Sequence, residues 1–414
     1  MEKSFKTLAN SYRAGLLLIA IAVFVADVSG DSRVRIRLAG DIGEAAVKDP
    51  ATRVHDSIWQ NYSTDIRYIV ERKTEGWSFD FHSVALANAS NTSTEASVFG
   101  ANRHNEIEIG RAWDLSAQLS SGSHHRISLF VDQLRVTYRN ERWRVMLGRM
   151  PVFWGRGIVY QPLDVFNAHP PTTIDREFKR GNDSVVVERL MSNGSEVQFL
   201  SILRDSNLSS ARETGTFAIK TYFPIEENEL EFMLGKHYDA SIVGVSSALP
   251  LGGMLLRADL ATTCKDGCWT SAAVNVDYSW GVRGGILYTF IEFYYNGAGV
   301  SQLRDGLRNL PSRLASGIQR GEVFAYGRRV LAAGSSITWH ALWTQSLTVL
   351  SNLNDRSVLL QTFFNHLPTD NLSMSFGIRV PFAGRNEEFG PLEVDDTSTI
   401  GGQAGVFFEL SYYR

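Results

Sequence analysis

The feature that most constrains the fold is an alternation of apolar and polar residues that recurs along most of the chain. Residues 77–82 (WSFDFH) and 371–376 (NLSMSF) alternate one by one between apolar and polar side chains. Successive side chains of a β-strand point to opposite faces, so such segments are typical of strands with two chemically different faces. Turn-forming pairs such as Glu75 and Gly76 separate them. The pattern predicts an all-β chain of antiparallel strands joined by hairpins.

Counting the alternating segments gives nineteen candidate strands. They span residues 33–42, 62–73, 77–87, 105–118, 126–139, 142–150, 184–191, 195–204, 214–223, 229–238, 241–248, 253–263, 269–279, 285–296, 323–342, 344–352, 357–367, 372–382 and 399–413. A bacterial single-chain barrel has an even number of strands and both termini in the periplasm. Counting back from Arg414 makes residues 88–104 a periplasmic turn, which is long for that side. We therefore expect residues 33–42 to lie outside the barrel wall, which leaves about eighteen strands in it. Sixteen to twenty wall strands are also compatible with the pattern.

Composition narrows the class of protein. The chain has 23 Phe, 14 Tyr and 9 Trp, and this aromatic content argues against a disordered chain. Its formal net charge of −3 argues against nucleic-acid binding, because proteins of that class are usually basic. No apolar run of about 18 residues is present, so transmembrane helices are not predicted. Polar residues such as Asp80, His82 and Glu409 interleave with apolar ones, and a single sheet of so many strands is unusual for a soluble sandwich. We predict one transmembrane antiparallel β-barrel.

The N-terminus has the layout of a secretory signal peptide. Lys3, Lys6 and Arg13 precede an apolar run at residues 14–26, and small residues follow at 28–30. A membrane anchor is the alternative, but this run is short for a span. We expect residues 1–30 to be cleaved and residues 31–414 to form the barrel, in the bacterial outer membrane.

The two cysteines, Cys264 and Cys268, flank a tight turn at Asp266 and Gly267. Cysteines on either side of a hairpin tip can come within disulfide distance, and an exported chain meets oxidising conditions. A metal site would need two further ligands, which the neighbouring sequence does not offer. The spacing favours a disulfide, and we predict no metal site.

Residues 151–183 form a long, strongly charged connection that is the candidate site. As a loop folded into the lumen, it would narrow a pore and set its selectivity through charge, and its excess of cations would favour anions. As a structural element, its glycines would bend strands and its Arg–Asp pairs would neutralise one another. The pore-lining candidates are Arg142, Arg144, Arg149, Arg156, Asp164, Asp175, Arg176, Lys179 and Arg180. In a regular strand, Arg149 would point to the same, outward face as Leu147. A bulge near Met150 would be needed for Arg149 to point inward.

Motifs in this region resemble those of an uncharacterised family of proteobacterial outer-membrane β-barrel proteins, which are porin-like in size. The matching stretches are residues 147–157, 160–171 and 174–183, and further matches extend the resemblance from about residue 126 to the end. After Asn167 the family continues with Pro-Phe, whereas this chain has Ala168 and His169. The resemblance implies a barrel in the outer membrane and supplies no substrate.

These features predict a passive, porin-like channel for small hydrophilic solutes, with a preference for anions. The alternative is a non-transporting barrel that serves as a surface-binding or scaffold protein, with loops 297–322 and 383–398 as binding surfaces. A barrel-hosted hydrolase is less favoured because no Gly-x-Ser-x-Gly motif is present. We expect no enzymatic activity and no cofactor. The expected partners are outer-membrane lipids, lipopolysaccharide, the barrel-assembly machinery and small solutes, but not nucleic acid.

Overall fold

The computed structural model describes residues 32–44, 58–91, 111–173, 175–204, 215–282, 284–394 and 399–414. The predicted signal peptide, residues 1–30, lies outside the described residues. In the described part of the chain, no helix is long and apolar enough to cross a membrane.

Eighteen of the strands in these residues pair side by side into a closed antiparallel barrel. Each wall strand pairs with the next along the chain, and β1 closes the ring against β21, with Arg35 opposite Tyr413 and Gly43 opposite Gly405. The wall strands are β1 (Ser32–Glu44), β2 (Ile58–Thr74), β3 (Trp77–Ser90), β5 (His125–Arg139), β6 (Trp143–Met150), β7 (Asn182–Leu190), β8 (Glu196–Ile202), β9 (Thr216–Ile225), β10 (Asn228–His237), β11 (Ala240–Leu251), β12 (Met254–Cys264), β13 (Cys268–Val282), β14 (Gly285–Tyr295), β15 (Arg329–His340), β16 (Trp343–Asn352), β17 (Val358–Thr369), β18 (Leu372–Phe382) and β21 (Gly405–Tyr413). The number and the antiparallel order agree with the prediction.

The strand outside the wall is not the one that we expected. β1, over Ser32–Glu44, belongs to the wall, and the additional strand is β4 (Ser116–Ser121), in the region predicted as 105–118. β4 pairs with residues 126–130 of β5, whereas β6 pairs with residues 134–139 of the same strand. β6 ends at Met150, where the chain leaves the wall, so β4 occupies the edge of β5 that β6 leaves uncovered.

The order of the strands defines the two ends of the barrel. Both ends of the wall, at Ser32 and Tyr413, lie at the end that carries the short turns, such as those at residues 75–76 and 252–253. The end of β3 at Ser90 and the start of β5 at His125 lie at the opposite end, together with residues 297–328, 383–394 and 399–404. Of the periplasmic turn expected over residues 88–104, residues 88–90 belong to β3, and residues 92–104 lie outside the described residues. We call the two ends the short-turn end and the long-loop end.

The outer face of the wall is apolar and the inner face is mixed. Outward-facing Phe232, Leu234 and Val406 expose 45%, 60% and 54% of their surface. Large aromatic residues are exposed close to the short turns: Trp77, Tyr138, Trp143, Trp280, Trp339 and Trp343. An apolar belt edged by aromatic rings is the surface that a membrane barrel presents to lipid.

Short secondary-structure elements lie at the long-loop end. A single helix in the described ranges, α1 (Ser312–Gln319), begins immediately after Pro311. The apolar residues Leu303, Leu307, Leu310, Leu314 and Ile318 have helical spacing across Pro311. The helix nevertheless starts only after Pro311, since proline is tolerated at a helix start but not inside. The hairpin of β19 (Leu392–Glu393) and β20 (Thr399–Ile400) packs with Leu303 and Tyr326. Cys264 and Cys268 are disulfide-bonded at the β12–β13 turn, with Cα atoms 4.1 Å apart.

Candidate functional site

Residues 151–181, which connect β6 to β7, fold back into the lumen; we call them the lumen segment. Trp154 and Leu163 are each 3% exposed, and the ring of Trp154 meets that of Phe166 edge-on at 4.9 Å. These side chains form one cluster with inward-facing residues of β7 to β12, namely Val186, Leu200, Ile202, Ala218, Met233, Ile242 and Ala261. The lumen is therefore packed with apolar side chains along this part of the wall.

A second apolar cluster continues the packing around the wall. Val159 and Tyr160 of the lumen segment are buried, and Tyr160 stacks on Tyr294 of β14 with ring centroids 4.4 Å apart. The other members of this cluster are Ala273, Ala325, Val330, Ala332, Leu350 and Leu359. Together the two clusters pack the lumen segment against inward-facing residues of the wall between β7 and β17.

Two buried wall carboxylates hold the backbone of the lumen segment. Asp259 of β12 accepts hydrogen bonds from the backbone N–H groups of Arg156 (2.7 Å) and Gly157 (3.0 Å). Glu292 of β14 accepts from residues 158, 159 and 160 at 2.7, 3.2 and 2.8 Å. Five successive amides that have no secondary-structure partner are thus satisfied by side-chain carboxyl groups, whose charged form is a stronger acceptor than a neutral carbonyl.

Side chains of the lumen segment are also neutralised locally. Arg156 forms ion pairs with Glu229 and Glu231 of β10, the latter at 2.9 Å. Lys179 pairs with Asp164 inside the segment, and each side chain of this pair is 2% exposed. Burial raises the pKa of Asp164 and lowers that of Lys179, because both charged forms lose hydration.

The wall on the opposite side of the lumen, formed by β1, β2 and β21, carries charged residues instead. Arg37 of β1 donates to Asp65 of β2 (2.5 Å) and to Glu409 of β21 (3.2 Å). Arg35, also on β1, donates to Asp65 at 3.2 Å. Within this group of four, two cations balance two carboxylates.

The end of the lumen segment reaches this charged wall. Arg35 donates to Asp175 (2.9 Å) and to Glu177 (3.0 Å). The ring of Phe178 lies between two guanidinium groups, 4.6 Å from that of Arg35 and 4.0 Å from that of Arg67. The segment therefore bridges the lumen from the apolar side to the charged side.

A cavity of about 420 Å³ remains between the lumen segment and the charged wall. Wall strands β1, β2, β3, β5, β18 and β21 line one side, residues 166–180 line the other, and residues 319–324 border it at the long-loop end. The charged lining residues in the described part of the chain are nine cations (Arg35, Arg37, Arg67, Arg111, Lys179, Arg180, Arg204, Arg320, Arg379) and five carboxylates (Asp41, Asp65, Asp132, Asp175, Glu409). His169 also lines the cavity; burial and nearby Lys179 and Arg176 lower its pKa to about 4, so it is neutral at pH 7.

The structure brings together only some of the residues singled out from the sequence. Asp175, Lys179 and Arg180 line the cavity, and Asp164 lies buried against Lys179. Arg176 donates to backbone oxygens of residues 158, 171 and 173. Arg156 faces β10, as described above, and is not among the cavity-lining residues.

The three candidates on β6 and its preceding turn lie elsewhere. Arg142 is exposed in the turn before β6, at the short-turn end, and Arg144 pairs with Glu188 of β7. Arg149 is fully buried against Asp183 of β7, with Nε 2.7 Å from the carboxylate. The backbone irregularity next to it is Gly148, at φ 124°, in place of the bulge that we expected near Met150.

The sequence did not lead us to the wall residues that line this cavity. Arg35 and Arg37 were passed over because strand 33–42 was excluded from the wall. The signal was present, since Arg33, Arg35 and Arg37 alternate with Val34 and Ile36. Asp259 and Glu292 gave no local signal, as each meets the lumen segment across more than a hundred residues of chain.

One polar cluster bears on the hydrolase alternative. His237 contacts the hydroxyl of Thr216 at 2.9 Å through Nδ1 and the carboxylate of Glu322 at 2.9 Å through Nε2. This order of groups resembles a nucleophile–base–acid arrangement. Thr216 has no solvent exposure, however, and its hydroxyl accepts a hydrogen bond from Arg204. The cluster therefore presents no accessible nucleophile.

Comparison with known proteins identifies the fold. No protein-family model matches the chain, and no curated protein matches it in sequence. Among solved structures, it is similar to Wzi of Escherichia coli, an outer-membrane protein involved in group 1 capsule assembly and a carbohydrate-binding β-barrel (TM-score 0.53, 9% identity, 95% of this chain and 87% of that one). It is also similar to OccAB4 of Acinetobacter baumannii (0.52, 7%, 94% and 99%) and to OpdL of Pseudomonas aeruginosa (0.50, 9%, 93% and 98%). At these identities the likeness concerns the fold alone: a closed eighteen-stranded antiparallel barrel of the outer-membrane porin type.

Proposed function

We propose that the protein is a passive outer-membrane channel for small hydrophilic solutes, with a preference for anions. The observation that carries this proposal is the cavity beside the charged wall, which nine cations and five carboxylates line. Three further carboxylates, Asp164, Glu177 and Glu322, pair with Lys179, Arg35 and Arg320 from outside the lining, so the described charges leave an excess of one cation. A lining with excess positive charge raises the local concentration of anions and repels cations. No catalytic group is needed for this function, and we propose none.

The outer surface supports the membrane location. Apolar side chains cover the outward face of the wall, and exposed tryptophans lie near the short turns. We propose that this face contacts outer-membrane lipids and lipopolysaccharide and that the short-turn end faces the periplasm. We also propose that the chain is exported through a cleaved signal peptide and inserted by the barrel-assembly machinery. We further propose that it belongs to the family that the sequence resembles.

The route for solutes lies along the charged wall. On the opposite side, the two apolar clusters pack the lumen segment against β7 to β17, and an ionic solute that passed between them would lose hydration without compensation. On the cavity side, arginines and carboxylates offer polar partners over its length. The solute would therefore pass between the lumen segment and β1, β2, β3 and β21.

Single-channel conductance across a salt gradient tests this proposal. The refolded protein should give stepwise conductance in planar bilayers, with a reversal potential of the sign expected for anions. Arg379→Gln removes a cavity-lining cation that donates a hydrogen bond to the neutral side chain of Gln361 at 3.4 Å, so it should weaken the anion preference. Arg313→Gln is the matched control, since Arg313 is exposed on α1 and does not line the cavity.

Folded protein that stays silent in the bilayer, in the wild type and in every variant, would refute the channel. The scaffold or surface-binding alternative would then be favoured; the likeness to Wzi, a carbohydrate-binding barrel, is the observation that supports it. Equilibrium binding of soluble oligosaccharides to the refolded barrel would test that alternative directly.

A further inference from the structure

The end of the lumen segment occupies guanidinium groups that face the proposed route. Asp175 and Glu177 both contact Arg35, and Tyr413 donates its hydroxyl hydrogen to Glu177 at 2.5 Å. Phe178 fills the space between Arg35 and Arg67. We call Asp175, Glu177 and Phe178 the latch.

We infer that the latch is a built-in competitor of the transported anion: it closes the route by occupying Arg35 and Arg37, and an entering anion displaces it. This inference rests on the proposed channel function. It adds to the channel proposal a segment that closes the route and the arginines that the anion binds. An open passive channel would require neither.

The charge balance of the wall supports a displaceable contact. Arg35 and Arg37 are already matched by Asp65 and Glu409, which lie on neighbouring strands. The latch adds two negative charges to this balanced group. When it leaves, the arginines keep their wall carboxylates, so no buried cation is left without compensation.

Exposure separates the permanent partner from the removable ones. The side chain of Asp65 is 6% exposed, whereas those of Asp175 and Glu177 are 19% and 42% exposed. Because Asp175 and Glu177 keep more contact with solvent than Asp65 does, they regain hydration more readily on leaving Arg35, and an anion from solution can replace them with similar geometry. The latch is therefore held by contacts that a solute can reproduce.

The position of the latch in the chain lets it move without unfolding the lumen segment. On its N-terminal side, Phe166 is buried in the first apolar cluster. On its C-terminal side, Lys179 is fixed by Asp164 and by the carbonyl of Val152. Displacement needs to move only the chain between these two fixed points.

The double variant Asp175→Asn/Glu177→Gln tests the inference in planar bilayers. It removes the charges that compete for Arg35 while keeping side-chain size. We expect single-channel conductance in KCl to rise about twofold or more, with a reversal potential shifted further toward anions. The control is Asp370→Asn/Glu227→Gln, which removes the same charge from two exposed short turns and should leave both values unchanged.

Added succinate distinguishes competition from simple widening. In the wild type, succinate should lengthen the open time by displacing the latch, and in the double variant it should have no such effect. Phe178→Leu, which keeps the carboxylates but removes the ring between the guanidiniums, should give an intermediate conductance and covers the case in which the double variant does not fold.

The outcomes separate the two proposals. Equal conductance and equal succinate response in wild type and folded variants would overturn the latch and leave the channel standing. Folded protein that is silent in every form would overturn the channel function, and the latch with it. A silent wild type beside a conducting latch variant would support both.

Discussion

Arg149 and Asp183 form an ion pair without solvent exposure at the point where β6 leaves the wall. The guanidinium also donates to the backbone oxygens of Val131 (2.9 Å) and Trp113 (2.5 Å). Because β6 ends one residue later, these carbonyls lie where no further strand residue can supply an N–H group. The arginine thus supplies donors to the wall at a break in its hydrogen bonding.

We expect Arg149→Ala to destabilise the barrel by about 3–5 kcal/mol, because it leaves the buried carboxyl group of Asp183 without its cationic partner. Urea unfolding of the protein in lipid vesicles, followed by tryptophan fluorescence, measures this. Arg142→Ala is the control: Arg142 is exposed in a turn, and the change should stay within about 0.5 kcal/mol. Equal effects of the two substitutions would contradict the structural role given to Arg149.

At the scale of elements, the lumen segment has neither helix nor strand to satisfy its backbone. Asp259 and Glu292 replace that regular hydrogen bonding over residues 156–160, and the two apolar clusters supply the packing. Gly155 illustrates the closeness of the fit, since a Cβ there would lie 2.9 Å from the Asp259 carboxylate, and its φ of 88° disfavours other residues. The wall thus determines the course of the segment.

The variant Asp259→Asn/Glu292→Gln should loosen the lumen segment, because an amide is a weaker acceptor than a carboxylate and directs an NH₂ group at some of the same backbone donors. We expect faster trypsin cleavage after Arg176 and Lys179 in folded barrels, measured by mass spectrometry of the fragments. Asp277→Asn is the matched control, as Asp277 lies on β13 and pairs with Arg257. Unchanged cleavage in the double variant would show that apolar packing alone holds the segment.

At the scale of the whole molecule, the lumen is divided. On the β7–β17 side the two apolar clusters pack the lumen segment against the wall, and the β1–β3 and β21 side is charged, so the barrel combines a packed interior with a polar cavity. Barrels of about eighteen strands have space for an aqueous lumen, and here one connection takes up part of that space. Within the remaining cavity, the ring of Phe178 lies close to the guanidinium groups of Arg35 and Arg67.

The sequence predicted the barrel because alternation is a local property that each strand carries independently. It did not identify which of the nineteen segments lay outside the wall, since residues 33–42 and 105–118 alternate equally well. That choice depends on pairing between β1 and β21, which are more than 360 residues apart.

The candidate site was predicted in part for a related reason. The charge density of residues 151–183 was visible in the sequence, but its wall partners were not. Arg35 meets Asp175 across 140 residues, and Glu292 meets Tyr160 across 132. Such contacts follow from the closed ring rather than from spacing.

Closure of the ring by β1 can be tested with paired cysteines. Leu38 lies opposite Leu410, and directly opposed residues of antiparallel strands have Cα atoms about 4.5–5.5 Å apart, within disulfide range. The pair Leu38→Cys/Leu410→Cys should therefore crosslink on oxidation and join the two ends of the wall, which non-reducing gel mobility and mass spectrometry of the linked peptide would detect. The pair Leu38→Cys/Val406→Cys is four residues out of register, about 13 Å along the strand, and should not crosslink. If β1 lay outside the wall, as a count of alternating segments alone suggested, neither pair would form a selective bond. Crosslinking confined to the first pair requires both the eighteen-strand closure and the register that places Arg35 and Arg37 in the lumen.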